Sequence, residues 1–396
     1  MALGDSAYSL LTKLYKVNFK YARILLLNMV GPYKIKGNKI SYVGNKLFKP
    51  LNEVRGIRPP DLSNRHILLK TDDRFSNLIK IYGKLHTYIT DFMKAEGALL
   101  FDLPITTRMI SSPGSLTGTI ISDVEPFKIN FFEHETFLTQ SSQLYLEFAI
   151  NAKGINKVFC WDKSFRRERA DFRHLPEFTH VEFEGNIDFE QNLNLQERFL
   201  KYIISKLLTN NKKELLKFLS EDQIKGLKYI SELPKFKRIT FHNAFKLLYE
   251  KTKNEKYLKP SITKFGAYEE ILLTEIIGDE PIFIINYISD EVAFYHANKV
   301  GNPSLAVNAD LLFPGYGEII GSGERVHTKK DTEKKAKHFE LDMDDYKAYI
   351  DSRDSKNPII HSGWGMGVDR FIQCMLHLPF VWEAKVFPRV DNSNRP

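Results

Sequence analysis

Residues Phe165 to Glu184, FRRERADFRHLPEFTHVEFE, most narrow what this chain can fold into. Arg166, Arg167, Arg169 and Arg173 are interleaved there with Glu168, Glu177, Glu182 and Glu184. Before the stretch Val158 and Cys160 alternate with Phe159 and Trp161, and within it Val181 and Phe183 alternate with His180, Glu182 and Glu184. A period of two on both sides predicts an antiparallel hairpin closed by a charged loop, with arginines and carboxylates along one exposed face. Such a face suits a polyphosphate nucleotide, because guanidinium forks match phosphate oxygens, a carboxylate accepts from an adenine amino group, and Phe178 can stack on a base. A charged hairpin by itself is more often a solvated, ion-paired surface, so the rest of the chain must decide.

The chain has 396 residues, long enough for one large domain or two to three ordinary ones, with 43% apolar and 27% charged residues in a globular balance. Its two cysteines, Cys160 and Cys374, form neither a CxxC pair nor a His/Cys cluster, which predicts reduced thiols in a cytoplasmic protein without zinc. The apolar run Ile24 to Leu27 is far below the ~20 residues that span a bilayer, so no membrane association is expected. The net charge of +8 favours an anionic partner without choosing among ATP, tRNA and acidic lipid.

Leu10, Leu14, Val17, Tyr21 and Ile24 predict an amphipathic helix over Tyr8–Met29, with Lys13, Lys16, Lys20 and Arg23 as a basic stripe beside the apolar one. Tyr33 to Val43 reads as a hairpin around Gly37-Asn38, and Arg58-Pro59-Pro60 as a linker. Residues 1–60 are therefore expected to be a small appendage and 61–396 the main domain. Leu78, Ile81, Leu85, Tyr88 and Phe92 mark a strong helix, followed by an extended segment from Leu99 to Ile105 that Pro104 interrupts. Phe137 to Ile150 carries a polar cluster, Thr139 to Gln143 with Glu147, at a strand-to-helix junction of the kind that binds small ligands. Leu195–Leu208, Glu214–Leu219 and Ala244–Tyr249 read as helices, Arg238–Phe241 and Pro281–Tyr287 as strands. Asp310 and Glu318 flank a glycine-bearing turn, and SGWGMGVDR at 362–370 is a glycine strand running into a helix at Asp369-Arg370. Neither stretch fits a phosphate loop or GxGxxG. A glycine strand either lets a ligand approach the backbone or marks a tight packing junction.

In order and spacing these segments resemble the three signature motifs of class II aminoacyl-tRNA synthetases: Gly97–Ile105 with its helix, FRRE at 165–168 and GWGMGVDR at 363–370. FLTQSSQLYLE at 137–147, RHLPEFTHVE at 173–182, GYGEII at 315–320 and FPRV at 387–390 resemble the asparaginyl branch. The resemblance implies an α+β fold, an antiparallel sheet flanked by helices, dimerising through the first motif, with ATP and Mg²⁺ in the reaction. It implies that Arg166 holds the α-phosphate and the substrate carboxylate, Glu168 the adenine amino group, Phe178 the ring, His174 and Arg370 the outer phosphates, and Asp310 and Glu318 the metal. In-line attack of a carboxylate on phosphorus needs positioning and charge neutralisation, so no general base is required. For the amino acid, Gln143 is similar to the residue that meets the α-amino group, Glu147 and Arg353 would face the side chain, and Arg325 keeps the place of a pocket arginine. A carboxylate with a guanidinium can read both ends of a carboxamide. Leu146 stands where aspartyl relatives carry a lysine, which favours asparagine over aspartate.

Three departures from the family pattern carry expectations of their own. The first sixty residues are short of the roughly one hundred that an anticodon-reading OB barrel needs, so that function is expected to be missing. The lid segment 112–124 lacks the family's glutamate, and GSGER at 321–325 displaces Ser322 by one residue, which should reshape the pocket floor. The leading expectation is an enzyme that makes asparaginyl-adenylate and passes the acyl group to tRNA or a small amine. The competing ones are an asparagine synthetase that activates aspartate for ammonia and a non-catalytic paralogue that binds nucleotide or amino acid.

Overall fold

The computed structural model describes residues 51–111, 125–278 and 280–392, with the backbone of residues 33–36 and 39–42. The short hairpin read around Gly37-Asn38 is seen as Tyr33–Lys36 paired with Lys39–Tyr42. The helix expected over Tyr8–Met29, its lysine stripe and the 112–124 segment lie outside the described residues.

The apolar period between Leu78 and Phe92 becomes helix α1, Asp73–Ala95. Asp72 caps it by accepting the Arg74 N–H at 2.9 Å. Phe75, Leu78, Ile81, Leu85, Tyr88, Ile89, Phe92 and Met93 fall on its buried stripe. Gly97, at φ +78, then turns the chain into strand β1, which is only Leu99–Leu100. The longer extended segment expected to Ile105 therefore shrinks to two residues in the main sheet. Beyond Pro104, Thr106–Thr107 joins Lys128–Phe131 and His134–Leu138 in a separate three-stranded sheet. That small sheet delivers the chain to helix α2, Gln143–Ala149.

Strands β2, Lys157–Phe165, and β3, Glu177–Gly185, form the expected antiparallel hairpin. After it come helix α3 at Phe189–Asn210, α4 at Glu221–Glu232, strand β4 at Lys237–Thr240 and α5 at Phe241–Thr252. Helix α6 spans Ala267–Ile277, followed by β5 Ile282–Ile285, β6 Asn308–Phe313 and β7 Gly317–Glu324. Helix α7, Lys329–His338, strand β8, Ser362–Gly367, and helix α8, Val368–Met375, complete the domain. The helix expected over Glu214–Leu219 is confined to Lys212–Leu215.

The main sheet has the order β1-β2-β3-β8-β7-β6-β5-β4. Its neighbours are antiparallel except for the outer pairs β1·β2 and β5·β4. One face is core. There Val181 and Phe183 of β3 and Trp364 and Met366 of β8 pack with α1 and α3, Phe183 stacked on Trp364 and Phe92 edge-on to Phe199. The alternation of a strand sends every second residue of β3 and β8 to the opposite face, where the polar side chains collect. Among the described residues no helix is long and apolar enough to cross a membrane.

The hairpin does not carry its whole charge row in solvent. Arg167 and Arg169 are exposed, but Arg173, Glu182 and Glu184 are buried. The reason is topological: β3 is an interior strand, with β8 on one side and α2 over the face that was expected to be open.

Candidate active site

Phe178, His180, Glu182 and Glu184 share one face of β3, and β8 lies beside it in a register that sets Gly365 opposite Glu182 and Gly363 opposite Glu184. A Cβ on Gly365 would lie 3.4 Å from Glu182 Oε1. One on Gly363 would overlap Glu184 Oε2 and the Phe183 carbonyl and come within 2.6 Å of Gln143 Nε2. The glycine strand thus makes room for two buried glutamates and a glutamine of the same chain. That packing requirement, rather than close approach of a ligand alone, accounts for the glycine at 363, whereas a Cβ at 365 would make only ordinary contact with Glu182.

At the loop end of the hairpin, Arg166, Glu168, His174, Phe178, Glu318 and Arg370 line one open cleft whose charged and aromatic groups suit a nucleotide. The Arg166 guanidinium carbon lies 5.2 Å from the centre of the Phe178 ring. Arg370 donates through Nη1 to the Glu318 carbonyl at 3.0 Å and to its carboxylate at 3.1 Å. Behind them the buried Arg173 donates to Glu270 at 2.8 Å, and Glu270 also accepts the Glu318 N–H at 2.9 Å, fixing the strand that carries Glu318. His174 Nδ1 lies 3.0 Å from Asp171, leaving its other ring nitrogen free of that contact. Burial, then the nearby Arg166 and Arg370 charges, push His180 well below the usual imidazole range, so it is neutral.

Asp310 and Glu318 converge at Gly321, where an added Cβ would sit 3.1 Å from Glu318 Oε1 and 3.6 Å from Asp310 Oδ1. Burial first and the Glu318 charge second hold the Asp310 carboxyl well above the usual range. Two carboxylates that repel each other at one spot form an oxygen donor set that a hard divalent cation relieves.

The four expected amino-acid residues come together on the other side of Glu182. Gln143 donates through Nε2 to the Phe183 carbonyl at 2.9 Å and also to Glu184. Glu184 accepts from Arg325 Nε at 3.1 Å, and Arg325 lies 3.8 Å from Glu147 Oε1 and 5.0 Å from the centre of the Tyr295 ring. Glu147 Oε2 accepts from Tyr349 at 2.9 Å, from Arg353, and lies 3.3 Å from His361 Nε2. Burial opposes ionisation of Glu147, but Arg353, His361 and Arg325 together hold its carboxyl below the usual range. Glu184 goes the other way, driven up mainly by burial. Between these groups Glu182 accepts from Ser141 Oγ and from the Ser142 N–H at 2.7 Å. Burial raises its carboxyl to about 7 against those hydrogen bonds. Glu147 Oε1, Glu184 Oε1 and Arg353 Nε are buried without a hydrogen-bond partner, so the pocket has spare acceptors and a spare donor for a polar ligand.

All eleven residues singled out in the sequence therefore lie on one face of the sheet or its rim. Glu182, Glu184, Glu270, Tyr349 and His361 were missed. For Glu182 and Glu184 the signal was present, since the period of two places them with Phe178 on β3. Ser322 turns away from the pocket and donates to the Ala309 carbonyl at 2.9 Å. Gly323 takes the floor position instead, where an added Cβ would overlap the His296 ring. Leu146 is fully buried and clusters with Ile150, Val158 and Cys160.

Comparison with known proteins gives a consistent result. The model of the family "tRNA synthetases class II (D, K and N)" matches residues 59–391. The chain is 34% identical over 368 residues to the asparagine–tRNA ligase of Lactobacillus delbrueckii subsp. bulgaricus, covering 92% of this chain and 80% of that protein. It is 32% identical over 340 residues to the asparagine–tRNA ligase of Thermoplasma acidophilum, covering 85% and 74%. Among solved structures it superimposes on asparaginyl-tRNA synthetase from Pyrococcus horikoshii complexed with asparaginyl-adenylate, with a TM-score of 0.76 at 29% identity over 92% of this chain and 80% of that one.

Proposed function

The chain belongs to the class II tRNA synthetases of the aspartate, lysine and asparagine group, an ATP-using family, and from that premise we propose that it activates asparagine as asparaginyl-adenylate and transfers the asparaginyl group to tRNA. The observation that carries the choice of asparagine is the buried Glu147–Arg353 pair, which has an acceptor oxygen, Glu147 Oε1, and a donor nitrogen, Arg353 Nε, still without a hydrogen-bond partner. A carboxamide offers the complementary NH₂ and carbonyl. Aspartate would bring a second carboxylate beside Glu147, and the apolar Leu146 supplies no compensating charge.

In this reading the asparagine carboxylate attacks the α-phosphorus of ATP, a P–O bond forms, and pyrophosphate leaves. Arg166 orients the carboxylate and the α-phosphate, and its guanidinium neutralises charge as the transition state spreads it over the phosphoryl oxygens. Arg370 and His174 hold the outer phosphates, Glu168 accepts from the adenine amino group, and Phe178 stacks on the ring. Gln143, with Glu182 beside it, takes the α-ammonium group; Arg325 braces Glu147 and Glu184 at the pocket wall. Asp310 and Glu318 would hold Mg²⁺, which neutralises phosphate charge when bound.

The 3′-terminal hydroxyl of tRNA then attacks the activated carbonyl and AMP departs. We also propose a homodimer. Leu99 and Leu100, each 53% exposed, and Phe101 lie at the open edge of the main sheet, an apolar strip of the kind that marks an interface. Residues 61–396 are read as the catalytic domain and 1–60 as an appendage, and the cytoplasm as the place of reaction. The direct test is exchange of pyrophosphate into ATP. Asparagine should support it roughly 100-fold or more better than aspartate. Exchange driven by aspartate alone would replace the reading with activation of the acid.

A further inference from the structure

Gly323, within the GSGER stretch, sits against a histidine. A Cβ there would lie 2.3 Å from His296 Nδ1, 2.7 Å from its Cε1 and 2.9 Å from the Val307 carbonyl, so only glycine admits the imidazole to the pocket floor. The main chain that carries His296 is tied to the end of β7. His296 and Arg325 form an isolated antiparallel bridge, the Ala297 N–H donates to the Glu324 carbonyl at 2.8 Å, and the Val326 N–H donates to the Tyr295 carbonyl at 2.9 Å. The buried Lys335 ammonium also holds the His296 carbonyl. The ring, 8% exposed, is thereby fixed beside Arg325.

Arg325 is the cation that serves two of the pocket's carboxylates. Its Nε donates to Glu184 at 3.1 Å and lies 3.8 Å from Glu147, and its guanidinium carbon stands 5.0 Å from the centre of the Tyr295 ring. Nη1 of the same group faces His296 Nδ1 at 3.5 Å, a long hydrogen bond. A guanidinium has only donors, so Nδ1 must be the bare nitrogen and Nε2 must carry the ring proton. Burial, followed by the Arg325 and Lys335 charges, pushes His296 well below the usual imidazole range and keeps that acceptor free of a second proton. A carboxylate at this place would compete with Glu184 and Glu147 for the guanidinium charge. A neutral acceptor ties Nη1 without doing so.

We propose that His296 is a positioning residue of the amino-acid pocket, its Nδ1 anchoring one arm of the Arg325 guanidinium so that the fork stays against Glu184 and Glu147 when the amino acid enters. The claim rests on the amino-acid-activation reading for its ligand. Without the anchor Arg325 can turn about its own side-chain bonds, and the two carboxylates lose a fixed counter-charge. Glu147 is the one that reads the carboxamide in that reading, so amino-acid binding weakens, while phosphoryl transfer at Arg166, in the nucleotide cleft, proceeds as before.

The test compares His296→Leu, which keeps much of the ring's bulk and removes the acceptor, with His296→Asn, whose Oδ1 can stand where Nδ1 stands. Pyrophosphate exchange is measured on the full chain with asparagine and with aspartate, and thermal unfolding checks that each variant is folded. His296→Leu should raise the KM of the amino acid that the wild type activates about 10-fold, the loss expected for one hydrogen bond to a charged group, with kcat nearly unchanged. His296→Asn should bring that KM back to within about 3-fold of the wild type, because the acceptor is restored. In a ¹⁵N spectrum of the wild-type imidazoles, the signal that His296→Asn removes should be a neutral Nε2–H tautomer from about pH 6 to 8, a readout that needs no turnover. An imidazolium or an Nδ1–H tautomer would overturn the proposal. A leucine variant with the wild-type KM, or an asparagine variant impaired as much as the leucine one, would overturn it too. Should His296→Leu not fold, His296→Asn and the spectrum still decide. Exchange on aspartate alone would remove the asparagine reading, while the same ordering of KM values for aspartate would uphold the anchor. With no exchange on either, the activation reading falls and the tautomer alone decides the anchor, so the two claims fail separately.

Discussion

Replacing Glu182 by Gln keeps the size and the acceptor that the Ser142 N–H uses, and removes one titration. The wild-type carboxyl shifts from an ordinary value of 4.5 to about 7 in the folded protein because burial disfavours its anion. Two and a half pH units at ~1.36 kcal/mol each correspond to about 3 kcal/mol. The folded chain holds this proton more tightly than the unfolded chain. The stabilising contribution is therefore complete below pH 4.5 and is lost as pH rises through 7. Urea unfolding of wild type and Glu182→Gln between pH 4.5 and 8 should show the difference in stability between them changing by about 3 kcal/mol over that window, the wild type losing ground as pH rises. Glu184 and the other carboxyls are common to both proteins and largely cancel. Function should move in the opposite sense: an ionised Glu182 attracts the α-ammonium group, so the wild-type KM for asparagine should fall about tenfold per pH unit up to 7 and then level. The variant should have a raised, pH-independent KM. If both proteins share one stability profile and one KM profile, the carboxyl titrates near its ordinary value and the ammonium assignment fails.

Other substitutions probe separate parts of the site. Gly363→Ala would force a Cβ against Glu184 and Phe183, so stability should drop by about 1–3 kcal/mol with loss of exchange; an active, equally stable variant would show that β3 and β8 are not in the register described. Arg166→Ala, at a partly exposed position, should leave the melting temperature nearly unchanged while lowering the exchange kcat about 100-fold or more. Arg353→Met leaves the buried Glu147 with Tyr349, His361 and the more distant Arg325 and should cost about 3–5 kcal/mol in unfolding experiments, together with asparagine selectivity. Leu100→Asp with Phe101→Asp should convert the sedimenting species from dimer to monomer; an unchanged mass would place the contact elsewhere.

The parts of this fold that were legible in the sequence are those set by local periodicity. Helix α1 announced itself through Leu78, Ile81, Leu85, Tyr88 and Phe92, and β2 and β3 through their alternation, because each buries one face. The fate of Glu182 and Glu184 was not legible, since their burial depends on pairing with Gly365 and Gly363 nearly two hundred residues away. The charged hairpin thus looked like surface until the glycine strand was laid beside it. Helix α6 was missed because AYEEILLTEII has no narrow apolar stripe, packing as it does against both α5 and β7. Within the site, each side chain chosen for its chemistry joined the cluster, whereas Glu270, Tyr349 and His361 act as partners to those side chains and carry no local signature. Their roles follow from contacts with Arg173 and Glu147 across 97, 202 and 214 residues of sequence.

The central claim is best tested by tRNA charging with purified protein, ATP and Mg²⁺, comparing labelled asparagine with labelled aspartate and counting AMP against acylated tRNA. The account predicts asparaginyl-tRNA with one AMP for each acyl group and no aspartyl product. Aspartyl-tRNA, or adenylate formed and consumed by ammonia with no acylated tRNA, would contradict it.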